Sequence, residues 1–115
     1  LPIIPEGIFE TERRGDKLFI YPRDSLGELG IYFVAQTQKD GKILLHDDGT
    51  ILSVLSSHAN PVNLVRELRT GARSLGFVFR DGRVFVKCDY PELVAAARRL
   101  ERLAAEIAFK AKPEG

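Results

Sequence analysis

The densest group of side chains able to do chemistry is His46-Asp47-Asp48, followed at once by Gly49. An imidazole and carboxylates are a donor set for zinc or manganese, and with His58 as a further ligand they would support metal-assisted hydrolysis of a phosphodiester. The spacing argues against that use. Neighbouring side chains on a strand alternate faces, so His46 and Asp48 would converge while Asp47 points away. A turn at Asp48-Gly49, with Asp47 accepting hydrogen bonds from nearby amides, is the simpler reading. The sequence holds no glycine-rich phosphate loop, no Cys-x-x-Cys pair and no nucleophile elbow, and its serines and two histidines are not spaced as a triad. No catalytic residue and no cofactor is therefore assigned.

The basic residues form a second group. In the stretch 77–86, two apolar arms flank Asp81-Gly82, and a two-residue hairpin turn there sets Arg80 opposite Arg83, Phe79 opposite Val84 and Val78 opposite Phe85. One face then carries Phe77, Phe79, Val84, Val86 and Cys88 as core. The other carries Val78, Arg80, Arg83, Phe85 and Lys87, cations beside an aromatic, which suits phosphates and bases. Arg66, Arg69 and Arg73 follow at steps of three and four along a helix and make a second basic stripe. Together the two sets would form one nucleic-acid-binding groove. Alternatively they are ordinary solvated faces, with Val78 and Phe85 covered by a helix or partner.

Alanines 95, 96, 97, 104, 105 and 108 permit close helix approach, and Val78 and Phe85 would be buried across a dimer interface. A protein-interaction module, with a protein partner or self-association, demands no special chemistry and is the leading expectation. Nucleic-acid binding is the alternative, and a metal-dependent phosphodiesterase or nuclease the second alternative.

These residues need elements to hold them. Leu1 to Pro5, with two prolines, is an extended segment; 7–12 is a short strand, 13–17 a turn, 18–21 a strand and 22–27 a loop. The β-branched and aromatic run 30–37 is a strand that returns through Asp40-Gly41 to Ile43-Leu44-Leu45. Residues 50–55 fit a short strand or one helical turn equally. Asn60-Pro61 starts a helix whose apolar face is Leu64, Val65, Leu68, Ala72 and Leu75, ending at Gly76. Asp89 and Glu92 have capping-box spacing before a last helix with the stripe Leu93, Ala96, Ala97, Leu100, Leu103, Ala104 and Ile107. Lys110 and Lys112 suit its C-terminal end, and Pro113 stops it. Hairpins, helix, hairpin and helix predict an α+β fold, with antiparallel hairpins in one sheet and two amphipathic helices packed on one face.

The chain has 115 residues, which suits one domain over 1–115 with 113–115 as a tail. Its 17 basic and 16 acidic residues leave a formal charge of +1, so binding to nucleic acid would need local clustering. The single cysteine, Cys88, has no intramolecular partner and follows an apolar run, so it reads as a buried, inert thiol in a reducing, cytoplasmic setting. No apolar stretch is long enough to span a membrane.

With Leu45, Asp47, Asp48, Gly49 and Leu52, then the hairpin 77–86, then the alanine-rich helix 93–107, the chain resembles a bacterial and phage family catalogued as domain of unknown function 1828. The likeness covers roughly residues 15 to 110. His46 stands where that family usually shows a small hydroxyl residue, so no family-wide catalytic role comes to it. The resemblance implies an α+β fold and a phage or mobile-element context, with no activity attached.

Overall fold

The computed structural model describes residues 9–57 and 61–111. Leu1 to Pro5, His58, Asn60, Lys112 and Pro113 lie outside them. Six strands form one antiparallel sheet in the order β1 (Phe9–Arg14), β2 (Lys17–Pro22), β3 (Phe33–Thr37), β4 (Ile43–His46), β6 (Arg83–Cys88), β5 (Val78–Arg80). Among the described residues four α-helices accompany it: α1 (Ser25–Leu29), α2 (Thr50–Leu55), α3 (Pro61–Ser74) and α4 (Leu93–Ala111). The fold is α+β, as expected.

Side-chain alternation divides the sheet. Leu18, Ile20, Phe33, Ala35, Ile43, Leu45, Val84 and Cys88 are buried on one face, where they meet Leu64, Leu68 and Ala72 of α3 and the whole predicted stripe of α4. The burial of Cys88 raises its thiol pKa, in keeping with an inert side chain. The long helices approach closely at Gly71, where a Cβ would fall 2.7 Å from Leu103 Cδ1. The predicted capping box is formed: the Glu92 carboxylate accepts from the Asp89 amide at the start of a 3-10 turn, Tyr90–Glu92, that leads into α4.

Two local expectations change and one open alternative is decided. The stretch read as a loop at 22–27 carries the start of α1, which is capped by Asp24, whose Oδ1 accepts from the Leu26 amide at 3.0 Å, and ends at Gly30 with φ 96°. The following strand therefore begins at Phe33 rather than Gly30. Arg13 and Arg14, read as turn, belong to β1 and pair with Leu18 and Lys17, leaving a turn of Gly15 and Asp16 alone. The ambiguous stretch 50–55 is α2, burying Ile51 and Leu55.

The second hairpin has the predicted register, Arg80 to Arg83, Phe79 to Val84 and Val78 to Phe85. Asp81 and Gly82 both take positive φ, 54° and 78°, the signature of a type I′ turn, whose twist matches that of the strands it joins.

Candidate functional site

The His46-Asp47-Asp48 corner closes the end of β4. Asp48 and Gly49 turn the chain with φ of 53° and 75°. Asp47, fully buried, points inward and acts as a connector. Its Oδ1 accepts from the amides of Val84 at 2.9 Å and Gly49 at 3.0 Å, and its Oδ2 from the amide of Ile51 at 3.1 Å. The Asp47 amide in turn donates to the Val84 carbonyl at 3.1 Å. One side chain thus extends the β4–β6 ladder by one rung and satisfies amides at the start of α2. Burial raises the Asp47 pKa, against the opposing pull of those amide donors.

His46 and Asp48 do not converge as ligands. The Asp48 amide donates to His46 Nδ1 at 2.9 Å, while the Asp48 carboxylate takes the Tyr32 hydroxyl at 2.7 Å and lies 3.8 Å from Arg83 Nη2. That acceptor role pushes the Tyr32 phenol up to about 12, so it stays a donor. Among the described residues no group of His, Cys, Asp and Glu is arranged to hold a metal ion, and His58 is not among them.

Burial lowers the His46 pKa below its ordinary 6.5 and keeps Nδ1 free of a proton to accept the Asp48 amide. Because the folded value is depressed, this stability is complete above the free-histidine range and is lost as pH falls below it. Asparagine can accept the same amide two residues on without titrating. Urea midpoints at about pH 7.5 and about pH 5.5 should therefore differ less for His46→Asn than for wild type. Equal pH dependence in the two proteins would rule out His46 as the source.

The face of the sheet opposite the helices carries the rest of the predicted site. Across its middle run Glu12, Phe19, Val34, His46, Phe85 and Val78, one from each strand in spatial order. Glu10, Tyr21, Tyr32, Asp48, Arg83 and Arg80 lie along one side of that row, and Arg14, Lys17, Gln36, Leu44 and Lys87 along the other. Tyr32 packs its ring 5.9 Å from Phe19 and 6.1 Å from Tyr21, and the Arg14 guanidinium covers Phe19 at 5.0 Å. Among the described residues no helix packs on this face, and Val34 is nevertheless only 2% exposed, whereas Val78 is 45% exposed.

The structure thus places Val78, Arg80, Arg83, Phe85 and Lys87 on one face, as the hairpin register predicted. It does not add Arg66, Arg69 and Arg73 to them. Alpha-helix α3 packs on the other face, where the Arg69 guanidinium sits 6.0 Å over the ring of Phe79, so the sheet separates the two basic sets. The expected single groove is not formed. Three cations on the helix-free face have carboxylate partners, Lys87 with Asp40 at 2.6 Å, Arg83 with Asp48 and Arg14 with Glu12, while Arg80 and Lys17 form no ion pair among the described residues.

Sequence reasoning missed Phe19, Tyr21 and Tyr32 as parts of this face. The signal was available in Leu18-Phe19-Ile20-Tyr21, an unbroken apolar strand, which implies that both of its faces are apolar. No family model, curated protein or solved structure matches the chain. No helix among the described residues is long and apolar enough to cross a membrane.

Proposed function

We propose that the protein is a small non-enzymatic accessory module that binds another protein through the helix-free face of its sheet, in a phage or mobile-element setting. The row Phe19, Val34, His46, Phe85 and Val78 carries this reading: a largely apolar band crosses the sheet between charged rims in which Arg14, Arg83 and Lys87 already have carboxylate partners. An apolar centre with a compensated polar rim suits a protein interface, where charges at the centre are disfavoured. Phosphate binding on the same face is less well supported, because Asp48 and Asp40 stand beside the cations that would do it. A metal-dependent phosphodiesterase is disfavoured by Asp47, whose two oxygens are spent on amides.

The deciding experiment replaces Val78 and Phe85 together by glutamate. Neither side chain is in the helix-covered core, so the variant should fold with a urea midpoint near that of wild type. Association, measured as concentration-dependent mass by light scattering and as retention of protein from a host lysate, should weaken at least about tenfold, as loss of central contacts does. Wild-type protein that stays monomeric and retains nothing, or a variant that associates as well as wild type, would defeat the proposal.

A further inference from the structure

Lys17, Arg23, Lys39, Arg98 and Arg99 are scattered cations without an ion pair among the described residues, but one sheet edge gathers several such cations together. Among the described residues Arg66, Arg69, Arg73 and Arg80 form no ion pair. The first three recur at helical spacing on the exposed side of α3, and the contact of Arg69 with Phe79 turns that side toward β5. Arg80 ends β5 itself but belongs to the opposite, helix-free face.

The same edge offers unpaired backbone. Beta-strand β5 is outermost in the sheet, with β6 on one side and, among the described residues, no strand on the other. In a two-residue hairpin Arg80 and Arg83 exchange the hydrogen bonds nearest the turn, so the next pair, Phe79 and Val84, directs its peptide groups outward. Val84 confirms the alternation: its N–H and C=O are both engaged by Asp47, on the side away from β5. The N–H and C=O of Phe79 correspondingly point off the free edge, beside the arginine stripe.

We infer that the α3–β5 edge is a docking strip for an acidic, extended polypeptide segment, which adds to β5 through the Phe79 peptide groups and sets carboxylates against Arg66, Arg69 and Arg73. Charge complementarity selects the occupant. A second copy would bring the same arginines to the same edge and be repelled, whereas a strand carrying carboxylates gains both ladder bonds and ion pairs. Nucleic acid would use the arginines but has no use for the peptide groups of Phe79, and the ring of Phe79 is already covered by Arg69 rather than free to stack. The opposite edge is unlike this one: β1 mixes Glu10 and Glu12 with Arg13 and Arg14 and presents no surplus of one sign. This surface is separate from the helix-free face and stands or falls independently of it.

The test is titration of the whole chain into a fluorescein-labelled peptide of alternating glutamate and valine, read by anisotropy at low salt, with amide hydrogen exchange followed at Phe79. Binding should saturate, weaken at least about tenfold in the Arg66→Glu/Arg73→Glu double variant, and change less than about twofold in Lys17→Glu, on the other face and near the other edge. The Phe79 amide should exchange more slowly in the complex. The inference is overturned if binding does not saturate, if the double variant binds as wild type does, or if Phe79 gains no protection. It is also overturned if a single- or double-stranded oligonucleotide binds more tightly than the peptide at the same salt, which would make the stripe a phosphate site.

Discussion

Replacement of Asp47 by alanine should cost about 4 kcal/mol of stability, because each buried amide left without a partner costs roughly 1–3 kcal/mol. Three amides lose their acceptor together, those of Val84, Gly49 and Ile51, and two of them belong to β6 and α2, which Asp47 links at the end of β4. Gly49 is partly exposed and water can replace its bond, so the loss falls short of three full penalties. Asparagine should do less damage, about 2 kcal/mol, since it keeps one oxygen and sets an NH2 group against the remaining donor. Urea unfolding at neutral pH measures both. The folded pKa of Asp47 is raised by burial, so its ionisation weakens the fold as pH rises from the ordinary carboxylate range through the folded value, and Asp47→Asn should abolish that slope. An alanine variant within about 1 kcal/mol of wild type would mean that the corner is not a structural joint.

The second large effect is expected at Gly27. A Cβ there would lie 2.2 Å from the carbonyl oxygen of Pro22 and 3.3 Å from its carbonyl carbon. Both atoms belong to the backbone at the end of β2, so nothing flexible can yield, and α1 must move off the strand. Leu26, 2% exposed, would move with it. Crowding of this kind costs about 1–3 kcal/mol. Helix propensity predicts the opposite sign, since alanine is better than glycine inside a helix by about 1 kcal/mol. Gly27→Ala should nevertheless lower stability by about 2 kcal/mol net once displaced core contacts are included. The sign of the change in urea midpoint decides the matter: a gain would show that α1 does not lie this close to β2.

Much of the architecture was legible because its signals are local. The type I′ hairpin follows from Asp81-Gly82 between two apolar arms, and its register then assigns every side chain of Val78 to Cys88 to a face. The buried side of α4 follows from a stripe repeated over several turns. Elements set by distant contacts were less legible. Alpha-helix α1 has five residues and buries one of them, too few for a period to emerge. The stretch 50–55 fits either period, and what settles it is the Asp47 carboxylate receiving the Ile51 amide. Within the candidate site, the turn role of Asp47, Asp48 and Gly49 and the grouping of Val78, Arg80, Arg83, Phe85 and Lys87 could be read from spacing alone. The separation of Arg66, Arg69 and Arg73 from them could not, because it depends on which face of the sheet α3 covers.

The bond between Asp47 and Val84 joins residues 37 positions apart, and this has a consequence for how the chain assembles. Strands β1 to β4 are each paired with their neighbour in sequence, so that half can form from short-range contacts. The place beside β4 goes to β6, which arrives only after α2, α3 and β5 have been threaded out between them. Closing that excursion carries the larger loop entropy and should come late. The molecule is built in two instalments, and Asp47 is the latch that joins the second to the first.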